Sequence, residues 1–185
     1  MASLVGHAAM GLLATRYGAR ARARSWAALG LVALSMLPDA DVVAFALGIP
    51  YAAPFGHRGA THSLLFAAVA GAAAALAVRS PRMIPWCIAV VATHPLLDAL
   101  TDGGLGVALL WPFDLTRFFA PWRPIPVSPI GAGFLSWRGL RVTLAELALF
   151  SPFYALALFP TRGPRAPPTS PPEDAPPSSS GTAPP

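Results

Sequence analysis

Apolar residues come in long blocks along this chain, not in alternation, and short polar motifs cut the blocks apart. The first block, residues 2–15, contains His7, and its arginines (Arg16, Arg20, Arg22, Arg24) follow it. A signal peptide carries its positive charges ahead of the apolar core, so this order predicts a short retained helix. Residues 26–37 are apolar up to Pro38 and 42–49 resume the run, so Asp39 and Asp41 interrupt a segment of membrane length. Residues 61–78 form a clean run rich in alanine and leucine. Another, 83–100, carries His94, Pro95 and Asp98 in its final two turns, and the last, 140–159, encloses Glu146. Spans of about 20 residues match a hydrocarbon core of about 30 Å. The pattern therefore predicts an all-α, polytopic membrane bundle of about four to five apolar helices. The first two segments are short enough to be half-spans. Residues 161–185 are Pro, Ser, Ala and Gly with Glu173 and Asp174, which predicts a disordered tail behind a membrane-embedded domain over 1–160.

Composition agrees with that division. The 185 residues suit one domain plus a tail. With 55% hydrophobic and 11% charged residues, and a mean hydropathy of +0.56, the chain departs from ordinary soluble domains. The net charge of +5 is carried by arginine alone, with no lysine. These arginines mark the ends of apolar runs, as topology-setting charges do, and build no basic face for nucleic acid. The single cysteine, Cys87, lies within an apolar run, so it forms no intrachain disulfide and reads as a small buried residue.

Arginine placement also sets an orientation. With Arg16–Arg24, Arg79/Arg82 and Arg162/Arg165 on the cytoplasmic side, threading the chain sends Asp39, Asp41, His57, His62, His94 and Asp98 to the opposite face, with His7 level with them. Arg117, Arg123 and Arg138 then fall outside, against the rule, in the long segment 101–139. Trp111, Phe113, Phe118, Phe119, Trp122 and Trp137 in that segment suit the headgroup layer, or equally a packed loop.

The candidate chemistry lies between the helices. Beyond His7, the histidines occupy His57-Arg58-Gly59-Ala60-Thr61-His62-Ser63 and His94-Pro95-Leu96-Leu97-Asp98, while Leu37-Pro38-Asp39-Ala40-Asp41 supplies two carboxylates. His94 and Asp98 are four apart, hence on one helical face. Imidazole nitrogen with carboxylate oxygen is a common pairing for Zn, Mn or Fe(II), and a buried His–Asp hydrogen bond is the competing reading. His57 and His62 are five apart around Gly59, which suits a turn followed by a helix that starts, and is capped, near Thr61. Arg58 can clamp an anionic oxygen such as phosphate, or meet lipid headgroups. Asp39 and Asp41 can both approach a metal, or one can bind while the other orients a histidine. Helix capping ahead of Val42 accounts for Asp39 alone. Ionisable groups at mid-membrane cost about 2.5 kcal/mol or more each, so their gathering points to function. Glu146 reads as a partner for Arg141 or a polar helix contact. Asp102 and Asp114 read as supporting groups or as solvated loop residues.

Taken as strings, HxxxG at 7–11, LPDxD at 37–41, HRGxTHS at 57–63 and HPLLDxLTxxG at 94–104, ending in Trp111-Pro112-Phe113, resemble the YdjM-like bacterial inner-membrane proteins described as membrane-bound, metal-dependent hydrolases. The likeness covers about 4–115. That family is distantly similar to zinc-dependent phospholipase C and the P1-type nucleases, all-helical enzymes whose metal clusters use His and Asp on helices. The resemblance implies His7, Asp39, His57, His62, His94 and Asp98 as ligands to a divalent ion, zinc first with Mn or Fe as alternatives. It implies Asp41 as ligand or general base, with Arg58 neutralising developing charge. The soluble relatives hold further metals with a free amino-terminal residue and a later His/Glu pair, for which this chain has no evident equivalent, so one or two ions are expected. The implied substrate is a phosphoester or lipid in the bacterial inner membrane. The alternative is a non-catalytic membrane protein with a structural metal site or a transport role.

Overall fold

The computed structural model describes residues 2–18 and 24–159. The expected tail, 161–185, lies outside the described residues. Among those described there are six α-helices: α1 (Leu4–Gly18), α2 (Arg24–Ser35), α3 (Val43–Ala46), α4 (Leu64–Ala77), α5 (Ile84–Ala99) and α6 (Trp137–Leu158). No strand occurs among them, only the isolated bridges Thr101–Ile125 and Val107–Phe118. The all-helical expectation holds, and each apolar block became a helix within a few residues of its expected bounds.

Fewer helices than expected have the length of a full crossing. Among the described residues only α6, with 22 residues, is long and apolar enough to cross a membrane alone. A second crossing arises if α2 and the stretch Leu37–Ala46 form one broken span, bent by 46° at Met36. Pro38 and the two aspartates account for the break, since Leu37–Val42 is wound as a 3₁₀ turn with Pro38 in its first positions. α4 is apolar but has 14 residues, about 21 Å of helix.

α4 packs along α5, while α1 lies between α2 and α6 and also touches α5. Small residues permit these close crossings. A β-carbon at Gly71 would lie 2.5 Å from the Ile88 backbone, and one at Gly11 would lie 2.7 Å from Val32 Cα. Gly30, on α2, faces open space. Gly71→Ala is therefore expected to destabilise the protein by about 1–3 kcal/mol through overpacking. Gly30→Ala should be neutral or stabilising, by up to about 1 kcal/mol of helix propensity. Thermal unfolding in detergent checks the pair, and equal behaviour of the two variants would refute this account of the α4–α5 crossing.

Beside its apolar core the bundle encloses imidazole and charged groups and turns large apolar side chains outward. His7, His57, Arg58, His62, His94, Asp98 and Glu146 are fully buried, while Trp26 is 81% exposed and Leu29, Leu64, Leu65, Val69, Leu76, Leu144 and Leu156 also face outward. Apolar surface on this scale marks a face that meets a membrane or a protein partner.

A candidate metal centre

The buried polar groups come together at one end of the bundle. His7 comes from α1, Asp39 and Asp41 from the 3₁₀ turn, His57 and Arg58 from the loop before α4, His62 from the short 3₁₀ turn Ala60–His62, and His94 and Asp98 from α5. Ser63 is the N-cap of α4 and accepts from the Phe66 amide at 3.0 Å. Thr61, expected to be the cap, instead donates to Asp41 Oδ2 at 2.7 Å.

Asp39, His62, His94 and Asp98 each offer one ligand atom, all within 4.8 Å of one another. His94 Nε2 lies 3.3 Å from Asp39 Oδ1, and His62 Nε2 lies 3.6 Å from both Asp39 Oδ1 and Asp98 Oδ2. A tetrahedron with bonds of about 2.0–2.1 Å has edges of about 3.3 Å. Three of the donor pairs, at 3.3–3.6 Å, lie near that figure, and all four donors fall within 4.8 Å of one another.

Their hydrogen bonding fits as well. His94 Nδ1 meets the Ser35 carbonyl at 2.7 Å, His57 Nδ1 meets Asp41 Oδ1 at 2.6 Å, and His62 Nδ1 lies 3.1 Å from Asp41 Oδ2. The Nε2 atoms of all three are buried without a hydrogen-bond partner, as are both oxygens of Asp39. Holding one imidazole nitrogen so that the other presents a lone pair is how proteins prepare histidine for a metal. An unsatisfied buried polar atom costs about 1–3 kcal/mol, and a cation would relieve several at once. Capping does not explain Asp39: the cap residue ahead of α3 is Val42, and neither Asp39 oxygen has a hydrogen-bond partner.

Asp41, His57 and His62 form a second close group, sharing His62. Here the short distances run through Nδ1 atoms, so the contact is a hydrogen-bond network. Asp41 uses both oxygens in it, accepting also from the Arg58 amide at 3.1 Å. His57 thus stands beside the four-donor set, with Tyr51 and Phe45 over its ring. Burial raises the Tyr51 phenol above its ordinary value, with the Arg58 charge opposing, so it stays protonated at neutral pH. His7 is also adjacent to the set: its ring stacks on His94 at 3.6 Å, and its Nε2 lies 3.7 Å from Asp98 Oδ1.

Arg58 is wholly buried, so it does not meet headgroups. Its Nε lies 2.9 Å from Asp98 Oδ2, Nη1 donates to the Gly103 carbonyl and Nη2 to Thr101 Oγ1, each at 2.9 Å. Its backbone is left-handed, with φ of 61°. Bonds from the Arg58 amide to Asp41 and from the Ala108 amide to the Arg58 carbonyl hold that conformation.

Residues outside the motifs complete the frame. Arg117 donates to the carbonyls of His57, Tyr51 and Ala53 at 3.0–3.1 Å and so fixes the loop that carries His57. Glu146 accepts from Ser3 N and Oγ at 2.7 Å and from Gly6 N at 3.1 Å, tying α6 to the start of α1. It is a polar helix contact, while Arg141 is exposed. Asp102 and Asp114 accept from the Val127 and Thr116 amides and lie in exposed loops, outside the centre.

A family model for the YdjM inner membrane protein matches residues 1–163. The chain belongs to this family. It is also 42% identical over 123 residues to the Inner membrane protein YbcI of Escherichia coli (strain K12), a match covering 63% of this chain and 71% of that protein. No solved structure matches. As a member of the YdjM family, the chain is placed with inner membrane proteins, and its buried His/Asp groups can hold a metal ion.

Proposed function

We propose that this member of the YdjM family is a multi-pass, metal-dependent hydrolase whose substrate is a phosphoester or lipid. The observation that carries the reading is the pair of bare Nε2 atoms of His62 and His94, each backed by an engaged Nδ1, facing Asp39 and Asp98. Asp39, His62, His94 and Asp98 would hold a divalent ion, with zinc the first candidate. When bound, such an ion supplies Lewis acidity and lowers the pKa of a water toward neutrality.

The chain's own groups then divide the work. Asp41 braces His57 and His62 through Nδ1, and His57 Nε2 takes the proton from the attacking water. Arg58 holds Asp98 in register and offsets its charge. His7, stacked on His94, limits that ring's rotation. Tyr51 and Phe45 shield the His57 side from bulk water.

The multi-pass placement rests on the outward-facing apolar side chains and on helix direction. α1 and α6 run parallel, since Ser3 and Gly6 meet Glu146 while Arg16 reaches the Leu156 and Phe159 carbonyls at the other end. In this reading α1, the bent α2–α3 pair, α4, α5 and α6 each cross the inner membrane, and the centre lies near the non-cytoplasmic face.

A second reading has one observation in its favour: the donor atoms are all buried. Closed coordination marks a structural ion, whereas a catalytic ion keeps an open position. Metal analysis of the purified protein beside Asp39→Asn and His94→Gln, with a panel of phosphoester and lipid substrates, separates the two. The hydrolase reading expects roughly one equivalent of metal in the wild type, with metal and turnover lost together in both variants. Equal metal content in all three proteins would remove the metal centre. Metal without turnover on any substrate would leave the structural clamp in its place.

A further inference from the structure

A surface cleft of about 500 Å³ lies beside the start of α6, apart from the His/Asp centre. One wall is Asp102, Pro126 and Val127, and the other is Trp137, Arg138 and Arg141 of α6. Arg138 and Arg141 are three apart and so share one face of the helix. Both are exposed, and among the described residues neither enters an ion pair. The acid opposite them, Asp102, has Oδ1 engaged by the Val127 amide at 2.7 Å. The cleft therefore carries an excess of positive charge from two guanidinium groups, whose planar forks match phosphate oxygens.

The position of the cleft identifies the source of the phosphate. α6 is the helix of membrane length, and it begins at Trp137, which is 72% exposed. An exposed tryptophan at the first turn of such a helix sits at headgroup level. Along the same face the lining changes from Arg138 and Arg141 to Val142 and Ala145, one turn deeper. Charge above and apolar surface below is the polarity of a phospholipid, not of a free anion.

We propose that this cleft binds the phosphate of an anionic phospholipid, with Arg138 and Arg141 on the phosphate oxygens and the acyl chains of the diacylglycerol end running past Val142 and Ala145. The proposal does not depend on the metal centre or on hydrolysis. Asp102 directly follows Thr101, the residue that receives Arg58 Nη2, so a lipid held here lies beside the segment that frames the centre.

Equilibrium binding to the full chain in neutral detergent tests it, with dihexanoyl-phosphatidylglycerol, dihexanoyl-phosphatidylcholine and inorganic phosphate as separate probes. The expected result is at least tenfold tighter binding of the phosphatidylglycerol than of the phosphatidylcholine. That preference should be lost in Arg138→Gln/Arg141→Gln and partly kept in Arg138→Lys/Arg141→Lys, which retains charge without the fork. The lysine variant keeps the test decisive if the glutamine variant fails to fold. Phosphatidylglycerol binding unchanged in both variants would overturn the site. Arginine-dependent binding of inorganic phosphate without the lipid would overturn the lipid as its occupant.

Discussion

Asp98→Ala is expected to lower stability by about 3–5 kcal/mol, the cost of removing one partner from a buried ion pair. The carboxylate accepts from the Ala2 amide at 2.6 Å, lies 2.9 Å from Arg58 Nε, and faces His62 and His7 at 3.6 and 3.7 Å. Without it a fully buried guanidinium keeps only the Thr101 hydroxyl and the Gly103 carbonyl. Pairing the change with Arg58→Met should recover much of the stability, because two apolar side chains leave no charge stranded. Metal binding should stay lost in the double variant. Thermal unfolding in detergent, read beside metal content, checks both halves. If Asp98→Ala unfolds like the wild type, the ion pair is not what holds Arg58. If the double variant regains metal, Asp98 is not a ligand.

The second large effect belongs to a residue outside the centre. Glu146→Ala should strip three hydrogen bonds from the start of α1 and leave the Ser3 and Gly6 amides without their acceptor. At about 1–3 kcal/mol for each buried group left unpaired, the loss is of the order of 3 kcal/mol or more. Glu146→Gln keeps one acceptor oxygen and should lose less than half as much. Because α1 carries His7, and His7 stacks on His94, the alanine variant should also loosen the centre and weaken its hold on metal. Hydrogen exchange across α1 is the direct measurement. Protection of α1 equal to wild type in Glu146→Ala would show that packing against α2 and α5 suffices.

The helices were legible because an apolar block long enough to bury itself has little choice of structure. The donors were legible because His and Asp are rare in such blocks, and Asp39, His62, His94 and Asp98 do converge. What escaped the sequence was set by partners distant along the chain. Asp41 and Asp39 are two residues apart and look equivalent, but Thr61, His57 and the Arg58 amide engage Asp41 while Asp39 is left bare. Thr61 looked like a cap until Asp41 claimed its hydroxyl and Ser63 took over the helix end. Arg117 had no signal at all, since a clamp on backbone carbonyls needs no motif. Full crossing length was less legible: the turns around Pro38 and before Leu64 divert residues from helix to build the centre, and the helices are shorter for it.

The bond from Glu146 to Ser3 closes a sequence separation of 143 residues, and this has a consequence during synthesis. At roughly 5–20 residues per second, a ribosome needs on the order of ten seconds to make the intervening stretch. Through that interval the nascent α1 gains α2 and then α5 beside it, with Asp98 for the Ala2 amide, but the amides of Ser3 and Gly6 have no acceptor. The arrival of α6 supplies the missing carboxylate. A chain cut short before Glu146 could insert most of its helices and still leave its first one unmoored, so one buried side chain reports to the whole bundle that translation has passed that point.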